Sequence, residues 1–551
     1  MFEELSEAGI SLRSALDRYY NVCSTTESYC RKHDLNAAAS ERLSSELSLF
    51  GTFIEILEKS EALIARSRNS SRHLAPINSL PPEILTHIIN LAASPEHEVG
   101  GGRNRLSSRG GILTHRQPAL LSLVCAQWRH TVLQYPAFWS HIHLIHANCV
   151  GQSRIAHAKA WGQRSHPIPL DIHILADGSC EDPDEETALT DFLASAASRQ
   201  LASLSFTLRH VDQAREVALL NKYILNWAPG TLKKLVIEKT GTSFYGRFLK
   251  PADHKQRHNS LLINLPHARL EGLWKSVSVL RLRGIYLNWG SQVYHGLVEL
   301  CLSIDHKNQV DFPIIQESQL VVILAASPRL TVIRLDVVIE ANTFTGEAAT
   351  QARLDHLQIL DLNFTAMSKV ESSLRVVLPL IHPGSQPLEL LFPRSFKPDA
   401  LFHNRDLVQE FISRCTIAQL ALSIQDPGLE WLLPSVPHLQ TLVIKSDFRQ
   451  LLAGSESGSS ASFGAVQNLY ILDSTIPLDN FYPWLSQYPA LRKLIFWKCQ
   501  FLLGSNFVGN FEIDQELEQW GVLPFCPEIK LISDGPSPIL GWKTSPYDHC
   551  Y

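Results

Sequence analysis

Apolar residues recur at helical spacing through the first 70 positions. Leu43, Leu47, Phe50, Ile54, Leu57 and Ile64 follow steps of 4, 3, 4, 3 and 7. That is the a/d seam of a helix packing on another helix, broken once by Glu61. A shorter set, Leu5, Leu12, Leu16 and Tyr19, precedes it, and no proline interrupts residues 3–68. The pattern predicts a helical lead-in over 1–70. It folds as a hairpin, and either docks as an antiparallel pair on the next domain or self-associates as a coiled coil.

After the polar linker Ser67–Ser71, a second helical region is expected over 76–145. Ser79 or Asn78 caps its first helix. Proline in the first turn is tolerated because those N–H groups have no intrahelical partner. Ile84, Leu85, Ile88, Ile89 and Leu91 form its apolar face. The glycine-rich, basic stretch Gly100–Gly111 marks a flexible insert over 96–116, with Ser107 and Ser108 as phosphorylation candidates. One further helix is expected to carry Leu120, Leu121, Leu123, Val124, Cys125 and Trp128, ending at Tyr135-Pro136.

From 165 to 500 the period shortens, and brief aliphatic strands alternate with helical stretches. Four segments share one grammar: an apolar helical turn, a proline, then a strand. The prolines are Pro229, Pro328, Pro437 and Pro489, and the strands open at Leu232, Leu330, Leu439 and Leu491. The prolines lie 99, 109 and 52 residues apart. Those intervals are multiples of about 26, within the leucine-rich-repeat range. Proline stops each helix and forbids helical geometry just before it. The expected fold is therefore an α/β solenoid, an irregular leucine-rich-repeat horseshoe whose units bury their edges against neighbours. Residues 501–551 read as a cap and a Pro/Gly/Ser-rich tail.

Three motifs then fall in order. They are Leu80-Pro81-Pro82-Glu83-Ile84-Leu85, Leu121-Ser122-Leu123-Val124-Cys125-Ala126-Gln127-Trp128-Arg129, and Tyr135-Pro136-Ala137-Phe138-Trp139. The segment Leu80–Leu144 resembles the F-box family, in the insertion-bearing form common in fungal proteins. It follows that family's L-P-x-E-I opening, its S-x-V-C-x-x-W-R stretch and its closing P-x-L-W, with Phe138 in place of leucine. The resemblance implies an all-α F-box docking on the Skp-type adaptor of an SCF-type cullin–RING ubiquitin ligase, with the downstream region selecting a protein substrate. Carried over by position, Leu80, Pro81, Ile84, Leu85, Ile88, Val124, Cys125 and Trp128 are the adaptor contacts. The residues alone argue similarly: so small a helical module cannot bury all its large apolar side chains, and an exposed apolar patch marks a partner surface. For each residue, plain core packing is the competing reading.

Composition narrows the function classes. With 45% hydrophobic and 19% charged residues, the chain has too much apolar material for general disorder. A net charge of −5 argues against coating nucleic acid, which needs a basic surface. The longest aliphatic run, Leu320–Ala326, falls far short of the roughly 20 residues of a membrane helix. Met1-Phe2-Glu3-Glu4 opens without a basic or apolar signal region, so a cytoplasmic and/or nuclear location is expected.

Ten cysteines include no C-x-x-C pair, so neither a structural zinc site nor a nucleophile is read from them. His141 and His143 alternate on one strand face, as a metal pair or as a solvated face. The acidic run 181–186 lacks calcium-loop spacing. No cofactor and no catalytic residue are expected. The rival readings are an adaptor-binding scaffold without a ubiquitination role, and an enzyme hidden in the repeats.

Strand alternation picks out a substrate face. Arg281, Arg283, Glu299, Arg334, Asp336 and Asp361 fall between the inward leucines of early units, and Val443, Tyr470, Ile495 and Trp497 between those of late ones. Aromatic and aliphatic anchors favour the late set as the substrate contact. The competing reading is that the chain's own tail covers it.

Overall fold

The computed structural model describes residues 2–34, 36–69, 76–93, 117–146, 152–177, 191–192, 201–209, 230–240, 247–253, 260–304, 313–342, 351–362, 370–392, 402–423, 429–445, 463–504, 506–508, 526–533 and 538–539, with 218, 220, 221, 224, 364 and 448 between them. The insert at 96–116, the acidic run 181–186 and the Gly/Ser loop 455–462 lie outside the described residues. The chain divides into two compact units. One holds 1–88 and 122–131, the other 89–121 and 132–551.

The first unit opens with α1 (Phe2–Cys30) and α2 (Ala37–Asn69). The Asn36 side chain accepts the Ala39 N–H at 2.8 Å and caps α2. Tyr19 of α1 donates to the Glu46 carboxylate of α2 at 3.1 Å, and its ring lies 6.0 Å from that of Phe50. Tyr19 and Phe50 are similarly distant from the link between the helices, so the helices run antiparallel. No described residue of either helix is buried. A short turn at Pro76–Ser79 leads to α3 (Pro82–Ala93), whose first bonds run from Ile84 and Leu85 N–H to Pro81 C=O.

The single helix expected through 120–128 is instead two. α4 spans Gln117–Leu121 and α5 spans Ala126–Gln134, with a turn between them. The break has a local cause. Cys125 caps α5: its carbonyl accepts the Arg129 N–H at 2.9 Å and its Sγ the Trp128 N–H at 3.5 Å.

In the second unit, Trp139 is buried, donates its indole N–H to Val132 C=O at 2.8 Å and stacks edge-on against Trp161 at 5.3 Å. It leads into a 14-stranded sheet, parallel throughout and ordered as the chain runs. The strands are β1 (His141–His146), β2 (Leu170–Asp177), β3 (Leu201–Arg209), β4 (Lys234–Thr240), β5 (Val279–Arg283), β6 (Glu299–Ser303), β7 (Val332–Asp336), β8 (Ile359–Asp361), β9 (Pro387–Leu391), β10 (Thr416–Ser423), β11 (Thr441–Lys445), β12 (Asn468–Leu472), β13 (Lys493–Trp497) and β14 (Glu528–Ile532). An aliphatic rung crosses them in register, from Leu235 through Leu280, Leu300 and Ile333 to Leu494, each fully buried. Helices return the chain between strands, among them α6 (Gln152–Arg164), α7 (His267–Trp274) and α8 (Glu317–Ala325). Short strand pairs such as Ala352–Leu354 with Ile381–Pro383 do the same.

This architecture corrects the horseshoe expectation. The four proline-marked segments do lead into strands, β4, β7, β11 and β13. What they build is one large parallel α/β sheet, not a repeat array with an open concave face. The central strands are buried on both faces: every residue of β7 and β8 is buried, including Arg334, Asp336 and Asp361. Two-sided burial is how a parallel sheet covered on both faces behaves. Nor is there one repeat length. Strand starts lie 20 residues apart from Val279 to Glu299 and 45 apart from Lys234 to Val279.

Candidate functional site

Both halves of the predicted docking motif fall in the first unit. Leu85 is 0% exposed there, so this predicted contact is a core residue, and the packing reading holds for it. Leu80, Ile88, Cys125 and Trp128 are half-buried, and Pro81 is exposed. Ile84 is 49% and Val124 58% exposed. Cys125 also serves as the cap described above. Leu123, 67% exposed, belongs with Val124 although motif reading passed over it. In the helix expected there, Leu123 and Val124 would have pointed about 100° apart. The turn instead leaves Leu123 and Val124 side by side in solvent. Uncovered aliphatic side chains on a small helical unit are what a protein partner covers.

The predicted substrate residues occupy adjacent strands of the second unit. Val443, Tyr470 and Ile495 are register partners on β11, β12 and β13, and Trp497 follows two residues later. They are not an open surface. Val443, Tyr470 and Ile495 are 3%, 7% and 3% exposed, in one buried cluster with Leu472 and Ile539, with Trp497 packed against it. Ile539 comes from the C-terminal tail, so the competing reading from the sequence describes this site. Part of the charged set upstream is also enclosed: Arg283, Arg334, Asp336 and Asp361 are buried, while Arg281 and Glu299 are half-buried. Arg281 on β5 and Glu299 on β6 pair at 2.6 Å, and Arg334 sits in register with Cys301 and Asp361. Burial pushes the Cys301 thiol up to about 12.

His141 and His143 of β1 each have a neighbour on β2. His141 Nδ1 lies 3.0 Å from Asp171 Oδ2, and the His143 ring sits 4.3 Å from that of His173, whose Nε2 is 3.0 Å from the Thr207 hydroxyl. Among the described residues, no group of three or more His, Cys, Asp or Glu could hold a metal. Burial likewise raises the Cys415 and Cys499 thiols to about 12, leaving them protonated and poorly nucleophilic at neutral pH. Among the described residues, no helix is long and apolar enough to cross a membrane. No family model matches the chain, and no curated protein matches it.

Proposed function

We propose that the chain is a non-catalytic receptor subunit of an SCF-type cullin–RING ubiquitin ligase, working in the cytoplasm and/or nucleus. Its first unit docks on a Skp-type adaptor, and through it a cullin, using Pro81, Ile84, Val124 and the half-buried Leu80, Ile88 and Trp128. Its second unit holds a protein substrate. Catalysis is then a matter of proximity: the complex supplies the charged ubiquitin carrier, and the receptor raises the local concentration of its target.

The observation that carries this reading is the exposure of Ile84 and Val124, from motif halves separated by a long insert, within one compact unit. The test is affinity purification of the wild type beside a Leu80→Ala, Pro81→Ala double variant, followed by mass spectrometry. Loss of adaptor and cullin with other partners retained is expected. Equal recovery of adaptor from both contradicts the reading. Reconstituted ubiquitin transfer to a captured partner then separates a receptor from a scaffold without a ubiquitination role.

A further inference from the structure

The N-terminal hairpin exposes more apolar surface than two helices packed on each other should. On α2, the seam that includes Phe50 faces Tyr19 of α1. A second seam lies about a quarter turn away by helical periodicity. It is Leu49, Phe53, Ile56 and Leu63, at steps of 4, 3 and 7. A helix apolar on more than one face needs more than one partner. The other helix offers the complementary shape. On α1, Ala8, Ala15, Val22 and Tyr29 repeat every seven residues, and Ser11, Ser14 and Ala15 form a shallow open depression flanked by Ile10, Arg18, Tyr19 and Val22. With Tyr19 and Phe50 facing across an antiparallel pair, the 3.6-residue period puts the Ala15–Val22 line and the Leu49–Leu63 line on the same flank of the hairpin.

We propose that this flank is a homodimer interface. A two-fold axis along the hairpin lays α2 of each copy on α1 of the other and makes a four-helix bundle. The surface is self-complementary, as a two-fold contact requires: Phe53, Ile56 and Leu63 of α2 meet the stretch of the other copy's α1 that carries Ala8 and Ala15. The same arrangement brings the acidic first turn of α1 (Glu3, Glu4) to the basic last turn of the partner helix (Arg66, Arg68).

The area is sufficient. Val22, Tyr29, Leu49, Phe53, Ile56 and Leu63 are each 43–61% exposed. At roughly 100 Å² apiece they supply about 1,200 Å² over two copies, the lower bound for a stable interface, before flanking contacts are added. This inference stands apart from adaptor docking, which uses other residues.

Sedimentation equilibrium of the full chain tests it. Wild type should approach twice 61.8 kDa at micromolar concentration. Phe53→Glu with Leu63→Glu, and separately Ala15→Arg, should weaken dimerisation about 100-fold or more while far-UV circular dichroism stays helical. Leu47→Glu, at the 76% exposed edge of the first seam and turned away from this flank, should leave the dimer intact. A monomeric wild type, or a dimer indifferent to the flank variants, overturns the proposal. So does a wild-type chain that floats with phosphatidylcholine–phosphatidylserine vesicles instead of dimerising.

Discussion

His141 and Asp171 face each other across the register that joins β1 to β2, with Nδ1 and Oδ2 3.0 Å apart. Burial by itself raises the Asp171 carboxyl, but the hydrogen bond and charge of His141, with help from a Ser203 hydrogen bond and Lys234, outweigh it and lower the group from 3.8 to about 2. A folded-state value below the unfolded one stabilises the fold fully above about pH 4, and that contribution is lost as pH falls toward 2. More than a third of the carboxylate side chain is exposed, so screening limits the effect to about 1 kcal/mol. The gap between denaturant melts of wild type and Asp171→Asn should narrow steadily from pH 5 to 2.5. Parallel curves would show that the pair contributes nothing.

Neighbouring residues of one motif should separate cleanly in their effects. Leu85→Ala removes a fully buried side chain and should cost about 2–5 kcal/mol of stability. Ile84→Ala, next to it and half exposed, should cost under about 1 kcal/mol. Thermal melts of the two variants decide this. An Ile84→Ala variant as unstable as Leu85→Ala would mean that Ile84 is also part of the core.

Two glycines offer a matched pair. A Cβ on Gly384 would meet the Asp355 carbonyl oxygen at 2.5 Å and its Cα at 2.7 Å, where neither backbone can move freely. Gly384→Ala should therefore destabilise by about 1–3 kcal/mol. Gly272, inside α7, has nothing within 4 Å of the same position. There, Gly272→Ala should stabilise by about 0.5–1 kcal/mol, through helix propensity and a less free unfolded chain. Calorimetric midpoints moving in opposite directions are expected.

The tail contact is testable in the same way. Ile539→Asp places a charge in the cluster of Val443, Tyr470 and Ile495. It should raise hydrophobic-dye binding and lower stability by about 1–3 kcal/mol. Unchanged dye binding would show that the tail residue does not seal that patch.

The elements were more legible than their assembly. The a/d seam of α2 and the strands at Leu232, Leu330, Leu439 and Leu491 follow from period alone, because spacing fixes which side chains share a face. Burial of the second face does not. Arg283, Arg334 and Asp361 alternate with leucines as residues of an open strand face would, and only long-range packing encloses them. Val443, Tyr470 and Ile495 were correctly aligned, yet nothing in their own strands reveals that Ile539, some 45 residues beyond Ile495, covers them. The break at Cys125 was hidden for a different reason. Its apolar neighbours carry a helical pattern, and the cap that opens α5 is a thiol, which is not among the usual capping groups.

The most direct measurement is a calorimetric titration of the full chain with a purified Skp-type adaptor, beside an Ile84→Glu, Val124→Glu variant of equal thermal stability. Saturable wild-type binding that weakens at least 100-fold in the variant is the predicted result. No wild-type binding, or equal affinities for the two proteins, would contradict the docking account.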